Sequence, residues 1–158
     1  MENIFSNLDE LIRIVEEKKR RGKKIVLANG CFDIIHVGHI RYLAGAKSHG
    51  DILIVAVNDD ESTRKLKGPD RPVMPEEERA EIVASFKYVD YVLIFSGETV
   101  DSILLSIKPH VHAKGTDYSV EGVPEYNTAK SIGCQTVIVG DPKEHSSSDI
   151  IKKYFRRE

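Results

Sequence analysis

Apolar runs and amphipathic periods alternate along the chain and predict a repeating order of strands and helices. Five short apolar runs, each bounded by polar or turn-forming residues, are typical of buried strands and cover residues 24–28, 51–57, 88–95, 111–113 and 136–139. Between them, apolar residues recur every three to four positions, as they do on one face of a helix. Strands that alternate with helices indicate a parallel sheet with crossover connections, and therefore an α/β fold.

The first amphipathic segment is predicted to be a helix that begins at Ser6 and runs to Arg21. A serine followed three residues later by a polar residue, here Asp9, resembles a capping box. Gly22 is expected to end the helix. We therefore expect residues 1–22 to form a helix packed on the rest of the domain, where it could also serve as a dimer contact.

Further helices are expected between the later strands. One helix is predicted to end at about residue 48, another to begin at residue 61 and a third to begin after Pro75. Three more are predicted over residues 100–107, 125–132 and 147–155. Residues 65–72 are predicted to form a loop because Gly68, Pro69 and Pro72 interrupt regular structure.

Size and charge limit the classes of function. The chain has 158 residues and 41% apolar residues, which predicts one globular domain over residues 1–158. Its 23 Lys and Arg residues nearly balance 25 Asp and Glu residues. This balance argues against wholesale binding of nucleic acid, although a local basic pocket remains compatible with it.

Cysteine usage and hydropathy bear on the compartment. Cys31 and Cys134 are far apart in sequence and form no CxxC motif, so they are interpreted as free thiols in a reducing environment. No apolar run reaches membrane-spanning length, and the first residues lack the organisation of a signal peptide. A cytoplasmic protein without membrane contact is therefore expected.

One stretch, NGCFDIIHVGHIRYL from Asn29 to Leu43, concentrates the candidate chemistry. It connects the first predicted strand to the following helix, so it lies at a strand-to-helix turn. His36 and His39 are three residues apart and should share one face of the first helical turn. Gly38 between them lets a ligand approach the backbone, and a helix N-terminus favours an anion such as phosphate.

Two histidines at this spacing also fit a metal site. Cys31 is the only further histidine or cysteine close by in sequence, which falls short of the usual ligand set of a zinc site. Spacing alone therefore leaves phosphate chemistry and an ordinary helix cap as open alternatives.

The segment GCFDIIHVGH resembles the HxGH signature of the nucleotidyltransferase superfamily, which includes cytidylyltransferases and phosphopantetheine adenylyltransferase. Four further stretches are similar to the adenylyltransferase half of the bacterial ADP-heptose synthases: VNDDESTRKLKGPDRP, ERAEIVASFKYVDYVLIF, KGTDY and SSSDIIKK. The resemblance extends from about Lys24 to the C-terminus.

The resemblance implies a Rossmann-like, doubly wound, five-stranded parallel sheet with strand order 3-2-1-4-5. In such sheets ligands bind at the carboxyl ends of the strands, where the strand order reverses. That point falls between predicted strands one and four. The HxGH signature follows strand one and KGTDY follows strand four, so both motifs should meet at one crevice.

The resemblance also implies roles for individual residues. His36 and His39 would stabilise the transition state at the α-phosphate, and Lys67 and Arg79 would hold phosphates. The nucleotide would be bound by residues from the signature, the end of strand two, the KGTDY loop and the serine-rich segment, namely Cys31, Phe32, Asp33, Gly38, Asn58, Lys114, Gly115, Asp117, Tyr118, Ser146, Ser147 and Ser148. No protein side chain is predicted to bind a metal directly.

Most of these residues also have a structural interpretation. Lys67 and Arg71 stand in the predicted Gly/Pro loop, so they could be ordinary loop charges or cations that a flexible lid brings to phosphates. Arg79 could simply pair with Glu76. Asp33, Asp117 and Tyr118 could be ordinary turn or loop residues.

Helix caps are a second structural interpretation. Asp59 and Asp60 are expected to cap a helix, and the serines from Ser146 to Ser148 could do the same. The superfamily often carries Arg or Lys three residues after this serine segment, where this chain has Ile151, so Lys143 is a candidate substitute.

The implied reaction joins a heptose 1-phosphate to AMP from ATP, giving ADP-heptose and pyrophosphate. Mg²⁺ is expected to bridge the phosphates while keeping most of its water ligands. A separate sugar kinase would supply the acceptor, and the chain is expected to form a homo-oligomer, namely a dimer.

Two other functions remain open at this stage. A cytidylyltransferase for glycerol 3-phosphate shares the HxGH signature and a similar length. A non-catalytic nucleotide sensor could also use the fold, although the intact His36 and His39 pair argues against it.

Overall fold

The computed structural model describes residues 1–142 and 147–154, and its strands lie where the apolar runs predict them, with one addition. In chain order the strands are β1 (Ile4–Phe5), β2 (Ile25–Gly30), β3 (Ile52–Asn58), β4 (Tyr91–Phe95), β5 (Val111–Lys114) and β6 (Gln135–Ile138). Every pair of neighbouring strands is parallel, and the sheet order is β1-β4-β3-β2-β5-β6. The predicted order of the five longer strands is therefore confirmed.

The sixth strand, β1, was absent from the sequence prediction. It has only two residues, which are too few to show the alternation of apolar and polar positions that identifies a strand. It forms because it pairs with β4, where Ile4 lies opposite Val92 and Phe5 opposite Leu93. The Val92 N–H also donates to the Asn3 carbonyl at 2.9 Å. A tertiary contact thus extends the five-stranded sheet at one edge.

Seven helices connect and flank these strands in the described residues: α1 (Leu8–Arg20), α2 (Val37–Lys47), α3 (Asp60–Lys67), α4 (Glu76–Ala84), α5 (Asp101–Ile107), α6 (Tyr126–Ser131) and α7 (Ser147–Tyr154). None of the helices in these ranges is long and apolar enough to cross a membrane.

Two local predictions about helix ends were wrong. Helix α1 begins at Leu8, and its cap is Asn7, whose side chain accepts the Asp9 N–H at 2.9 Å, so Ser6 does not cap it. Helix α3 continues through Lys67, a residue predicted to lie in a loop. The glycine and proline residues that end regular structure begin only at Gly68, one residue later.

Two apolar clusters cover the two faces of the sheet. Val26 and Ala28 of β2 belong to the cluster beneath α2 and α4, whereas Ile25 and Leu27 belong to the cluster beneath α1 and α5. This alternation is the two-residue period of a strand buried on both faces. Helix α1 joins the second cluster through the fully buried Leu11 and Val15.

The sheet order creates a crevice between β2 and β5. The chain leaves β2 toward β3 on one side, and β5 pairs with β2 on the other side. The crossovers therefore diverge at the carboxyl ends of these two strands, where doubly wound sheets bind ligands.

Candidate active site

A cavity of about 700 Å³ lies at the carboxyl ends of the central strands. It extends from the ends of β3 and β4, across β2 and β5, to the start of α7. Its lining comprises Asn29, Gly30, Cys31, Phe32, Asp33, His36, Gly38, His39, Arg41, Tyr42, Asn58, Leu66, Lys67, Arg71, Glu98, Lys114, Gly115, Thr116, Asp117, Tyr118, Val139, Gly140, Asp141, Pro142 and Ser148.

Most residues predicted from the sequence line this one cavity. Among the described residues, the exceptions are Arg79, which is buried elsewhere, and Ser147, whose position is known only as the first residue of α7. Ser146 and Lys143 lie outside the described residues.

The segment between β2 and α2 has an unusual backbone. Phe32 and Ile34 have φ angles of 50° and 53°, in the left-handed region that non-glycine residues seldom occupy. The Phe32 ring lies only 3.1 Å from the point where a Cβ on Gly30 would sit, so a larger residue there would require the ring to shift. Strained backbone of this kind is common at functional sites, where surrounding contacts hold it.

His36 and His39 form an imidazole version of a capping box at the start of α2. His36 is the N-cap, and its Nδ1 accepts the Gly38 N–H at 3.1 Å. The Nδ1 of His39 accepts the His36 N–H at 3.2 Å, and the ring centroids are 4.0 Å apart. Because each Nδ1 accepts a hydrogen bond, each neutral ring carries its proton on Nε2. The HxGH spacing thus fixes the tautomers of two neighbouring N–H donors.

Asp33 holds the far wall of the cavity. Its carboxylate accepts hydrogen bonds from Arg71 Nε at 2.7 Å, from the Val73 N–H at 2.8 Å and from the Met74 N–H at 3.1 Å. Burial alone would raise the pKa of Asp33, but these hydrogen bonds and the Arg71 charge hold it below its ordinary value. Asp33 therefore tethers the segment after α3 to the HxGH loop.

Arg79 is not in the cavity wall, in contrast to the predicted phosphate contact. Its side chain is fully buried and donates to the carbonyl oxygens of Met74, Cys31 and Asn58 at 2.6–2.9 Å. It also pairs with Asp60 at 2.8 Å. The alternative pairing with Glu76 is not formed either, since Glu76 accepts from the Asp60 N–H. The guanidinium therefore holds backbone segments in place.

Two lysines bring positive charge to the cavity from opposite sides. Lys67 ends α3, and Lys114 ends β5. Burial lowers the pKa of Lys114, the nearby Lys67 charge lowers it further, and Glu125 and Asp117 act in the opposite direction. Lys114 Nζ also lies 5.0 Å from the centre of the Tyr118 ring. Two cations that repel each other across a cavity favour a bound anion between them.

Further contacts link the elements around the entrance. Arg41 of α2 pairs with Asp141 at 2.5 Å, and Thr116 Oγ1 donates to the Asp141 carbonyl at 2.7 Å. Tyr42 Oη donates to the Ala113 carbonyl at 2.7 Å. The KGTDY loop is thereby connected both to α2 and to the segment before α7.

Sequence reasoning missed several lining residues. Asn29 and Tyr42 stand in the quoted NGCFDIIHVGHIRYL stretch, so motif membership was an available signal for them. Arg71, which the sequence analysis groups with Lys67, also lines the cavity, but its guanidinium is engaged by Asp33. Glu98 and Asp141 had no such signal, because only the strand order brings their loops to the cavity.

A side-chain cage for a metal ion is absent from residues 1–142 and 147–154, where no group of three His, Cys, Asp or Glu residues could hold one. Asp33, the most buried acid of the wall, is already occupied by Arg71 and two backbone N–H groups.

Comparison with known proteins assigns this arrangement to a family. Residues 27–153, most of the chain, match the cytidylyltransferase-like family. The chain belongs to the cytidylyltransferase-like family. As a member it is a nucleotidyltransferase, with the HxGH signature at the switch point of its sheet.

Curated relatives of this cytidylyltransferase-like chain include bifunctional HldE proteins. The bifunctional protein HldE from Geobacter metallireducens is 46% identical over 152 residues, which cover 96% of this chain and 31% of that protein. The bifunctional protein HldE from Pelobacter propionicus is 42% identical over 153 residues, with coverage of 97% and 31%. The chain therefore spans less than a third of the length of these curated relatives.

Solved structures share the fold. The lipopolysaccharide core biosynthesis protein from Thermoplasma volcanium GSS1 aligns with a TM-score of 0.66 at 28% identity, covering 77% of this chain and 100% of that one. Pantoate-beta-alanine ligase from Francisella tularensis aligns with a TM-score of 0.69 at 18% identity, covering 92% and 68% of the two chains, which shows a common fold.

The buried Asp33 carboxylate generates a prediction about stability and pH. Asp33→Asn should lower the free energy of unfolding by about 3 kcal/mol near pH 7, because Arg71 loses a buried ionic partner. The pKa of Asp33 in the folded protein lies below its ordinary value of 3.8. The contribution of the Asp33 charge to the free energy of unfolding is therefore fully present above the ordinary pKa and is lost as the pH falls through the lowered pKa. The stability difference from the unmodified protein should therefore shrink in acid, as measured by urea unfolding at several pH values.

Asp141→Asn is the matched control, since Asp141 pairs with Arg41 but both side chains are 52% exposed. Its loss should stay below about 1 kcal/mol. Equal losses in the two variants at neutral pH would contradict the tethering role of Asp33.

Proposed function

We propose that the protein is an adenylyltransferase that transfers AMP from ATP to a heptose 1-phosphate, releasing pyrophosphate and ADP-heptose. The observation that carries the proposal is the 46% identity to a bifunctional HldE over 96% of this chain but only 31% of that protein. Such a match is expected of a unit that supplies one of two activities. The motifs that resemble the adenylyltransferase half of ADP-heptose synthases point to which activity that is.

The proposed chemistry is an in-line displacement at the α-phosphorus of ATP. An oxygen of the sugar phosphate attacks phosphorus, the bond to the bridging oxygen breaks, and pyrophosphate leaves with the electron pair. The attacking phosphate oxygen is already anionic, so the reaction requires no general base and no covalent enzyme intermediate. The protein must supply alignment and stabilisation of charge.

His36 and His39 suit the second requirement. The backbone hydrogen bonds to both Nδ1 atoms fix the rings, so the Nε2–H groups need no reorientation during the reaction. Preorganised donors of this kind stabilise charge that develops in a transition state. They would act on the oxygens of the α-phosphate.

The remaining cavity would divide between the two substrates. The KGTDY loop, Gly115 to Tyr118, would contact the nucleoside, and the start of α7 with Ser148 would receive the β- and γ-phosphates. Lys67, at the opposite side, would hold phosphate of either substrate. The cations and the histidine donors then surround the reacting phosphates.

Mg²⁺ would enter with ATP as part of the substrate complex. The wall residues fit this arrangement, since Asp33 is engaged by Arg71 and the described side chains form no cage of three ligands. The ion would neutralise phosphate charge while bound mainly to phosphate and water oxygens.

Glycerol 3-phosphate with CTP is the second candidate pair, favoured by the cytidylyltransferase-like character of the family. The lipopolysaccharide core biosynthesis protein among the solved structures favours a sugar acceptor instead. Supply of a sugar 1-phosphate by a separate kinase, a homodimeric assembly and a cytoplasmic location stay predictions.

A matrix of substrates tests the proposal. ATP and CTP are each combined with a heptose 1-phosphate and with glycerol 3-phosphate, and kcat/KM is measured from pyrophosphate release. We expect ATP with heptose 1-phosphate to be preferred by roughly 5- to 150-fold, the range that corresponds to one unpaired buried polar group on the wrong base. Preference for CTP with glycerol 3-phosphate would overturn the assignment, and ATP binding without any turnover would indicate a sensor.

The histidine pair generates the next prediction. His36→Asn keeps an acceptor for the helix cap but lacks the Nε2–H, whereas His36→Ala loses both. Both variants, and His39→Ala, should lose about two to three orders of magnitude in turnover while ATP binding weakens only modestly. Turnover and calorimetric ATP binding measure this. Near-normal turnover of His36→Asn would mean that His36 acts only as the cap of helix α2.

Lys67 can be tested against a neighbour on the same helix. Lys67→Ala should reduce turnover and raise the apparent KM, because a phosphate contact acts in both ground and transition states. Lys65 is the control, since it pairs with Glu61 at 3.2 Å and is absent from the cavity wall. Lys65→Ala should leave both constants unchanged, and identical kinetics of the two variants would make Lys67 an ordinary surface charge.

A further inference from the structure

A buried histidine lies behind the HxGH signature and is not part of the site described above. His112 stands in β5, and its side chain is completely shielded from solvent. Its Nε2 lies 2.8 Å from Oδ1 of Asn29, at the carboxyl end of the neighbouring strand β2. Asn29 lines the cavity, whereas His112 does not. The pair thus connects the interior of the sheet to the wall of the site.

The surroundings of His112 fix its proton on Nε2. Burial and the nearby Lys114 charge lower the pKa of His112 to about 3, so the ring is neutral near neutral pH. Its Nδ1 is buried and has no hydrogen-bond partner among the described residues. An orphan acceptor is tolerated in protein interiors more often than an orphan N–H. The favoured tautomer therefore donates from Nε2 to the Asn29 carbonyl oxygen.

This hydrogen bond determines which way the Asn29 carboxamide faces. Because Oδ1 is directed at His112, the Nδ2 amide group lies on the opposite side of the carboxamide. Within residues 1–142 and 147–154, no protein acceptor is hydrogen-bonded to Nδ2. Lys114 follows His112 by two residues on the same face of β5 and also lines the cavity. An amide donor and an ammonium group therefore stand at the ends of two adjacent strands.

We propose that Asn29 is a substrate-binding residue whose Nδ2–H donates to a phosphoryl oxygen, and that His112 is a positioning residue that holds the carboxamide in the donating orientation. The partner chemistry is an anionic oxygen, because Lys114 and Lys67 make this region of the cavity cationic. That oxygen belongs either to the nucleotide or to the phosphate of the acceptor. The proposal rests on phosphate binding in the proposed function, not on the identity of the sugar.

A purely structural role accounts poorly for His112. The sheet face around it is apolar, with Leu27 as its register partner on β2, and a buried ring nitrogen without a partner is unfavourable there. An aliphatic side chain would avoid that cost. Binding sites commonly retain locally unfavourable groups where function needs them.

Substitutions at Asn29 test the donor. Asn29→Asp keeps the acceptor for His112 but replaces the amine by an anionic oxygen, so kcat/KM should fall about a hundredfold or more. Asn29→Ala removes the donor without adding a repelling charge, although it also removes the acceptor of His112, and should cost about tenfold. Losses within twofold for both variants would overturn the proposal.

A double-mutant cycle tests the positioning role. His112→Leu should reduce kcat/KM several-fold alone but have no effect in the Asn29→Ala background, because there is no carboxamide left to orient. His112→Gln, which can still donate, should retain most activity and provides the comparison if His112→Leu does not fold. Thr136→Val is the matched control, since Thr136 pairs with His112 in register and also has a buried unpaired oxygen. Equal effects of His112→Leu in both backgrounds would make the role structural.

Separate binding arms identify the source of the oxygen. If the nucleotide supplies it, Asn29→Asp should weaken calorimetric binding of Mg·ATP; if the acceptor does, Mg·ATP affinity stays unchanged while binding of a sugar 1-phosphate weakens. If the matrix instead selects CTP with glycerol 3-phosphate, Mg·CTP and glycerol 3-phosphate take the place of these two ligands, so the measurement does not depend on heptose as the acceptor. Unchanged binding of both ligands by Asn29→Asp would refute the proposed contact even if the unmodified protein showed no turnover.

Discussion

The fully buried guanidinium of Arg79 is the interaction on which the architecture of the site depends. It donates to the carbonyl oxygens of Cys31, Asn58 and Met74 and pairs with Asp60. These partners come from the loop after β2, the end of β3, the segment before α4 and the start of α3. One cation therefore satisfies backbone acceptors that the sheet cannot pair. Without it, buried carbonyl groups and a carboxylate would lose their partners together, which is costly in an interior.

Asp33 and its neighbours extend this framework toward the cavity. The Asp33 carboxylate binds the segment that contains Arg71, and Phe32 and Ile34 beside it keep left-handed backbone angles. Such angles persist only where surrounding contacts outweigh the local cost. The HxGH loop is thus shaped by contacts with parts of the chain about 40 residues away, as the Arg71 pairing shows with a separation of 38 residues.

The result is a site whose donors are arranged before a ligand arrives. The two signature imidazoles are held through the backbone at the start of α2, and one hydrogen bond joins Asn29 to His112 behind them. The proposed nucleotidyl transfer between two anionic substrates would need alignment more than a reactive side chain. Rigid, oppositely placed donors and cations would meet that need.

The sequence by itself determined the five longer strands, their alternation with helices and, through the signature, the position of the site. Periodicity suffices for these features because burial on both faces of a parallel strand leaves a local apolar run. The motifs also indicated most of the cavity wall. Lys114 follows from the meeting of adjacent strand ends, and Lys67 from the resemblance of the LKGPDRP segment. These features depend on the local sequence pattern and on the rule that ligands bind at the carboxyl ends of parallel strands where the strand order reverses.

Only the tertiary structure decided where individual side chains point. Arg79 was expected at the phosphates, but the carbonyl groups it satisfies lie on three separate segments, and no local pattern reveals that they converge. The two-residue strand β1 and the pairing of Asn29 with His112, 83 residues apart, have the same origin. Their stabilising partners are distant in sequence, so the hydrogen bonds that define them exist only once the sheet has formed.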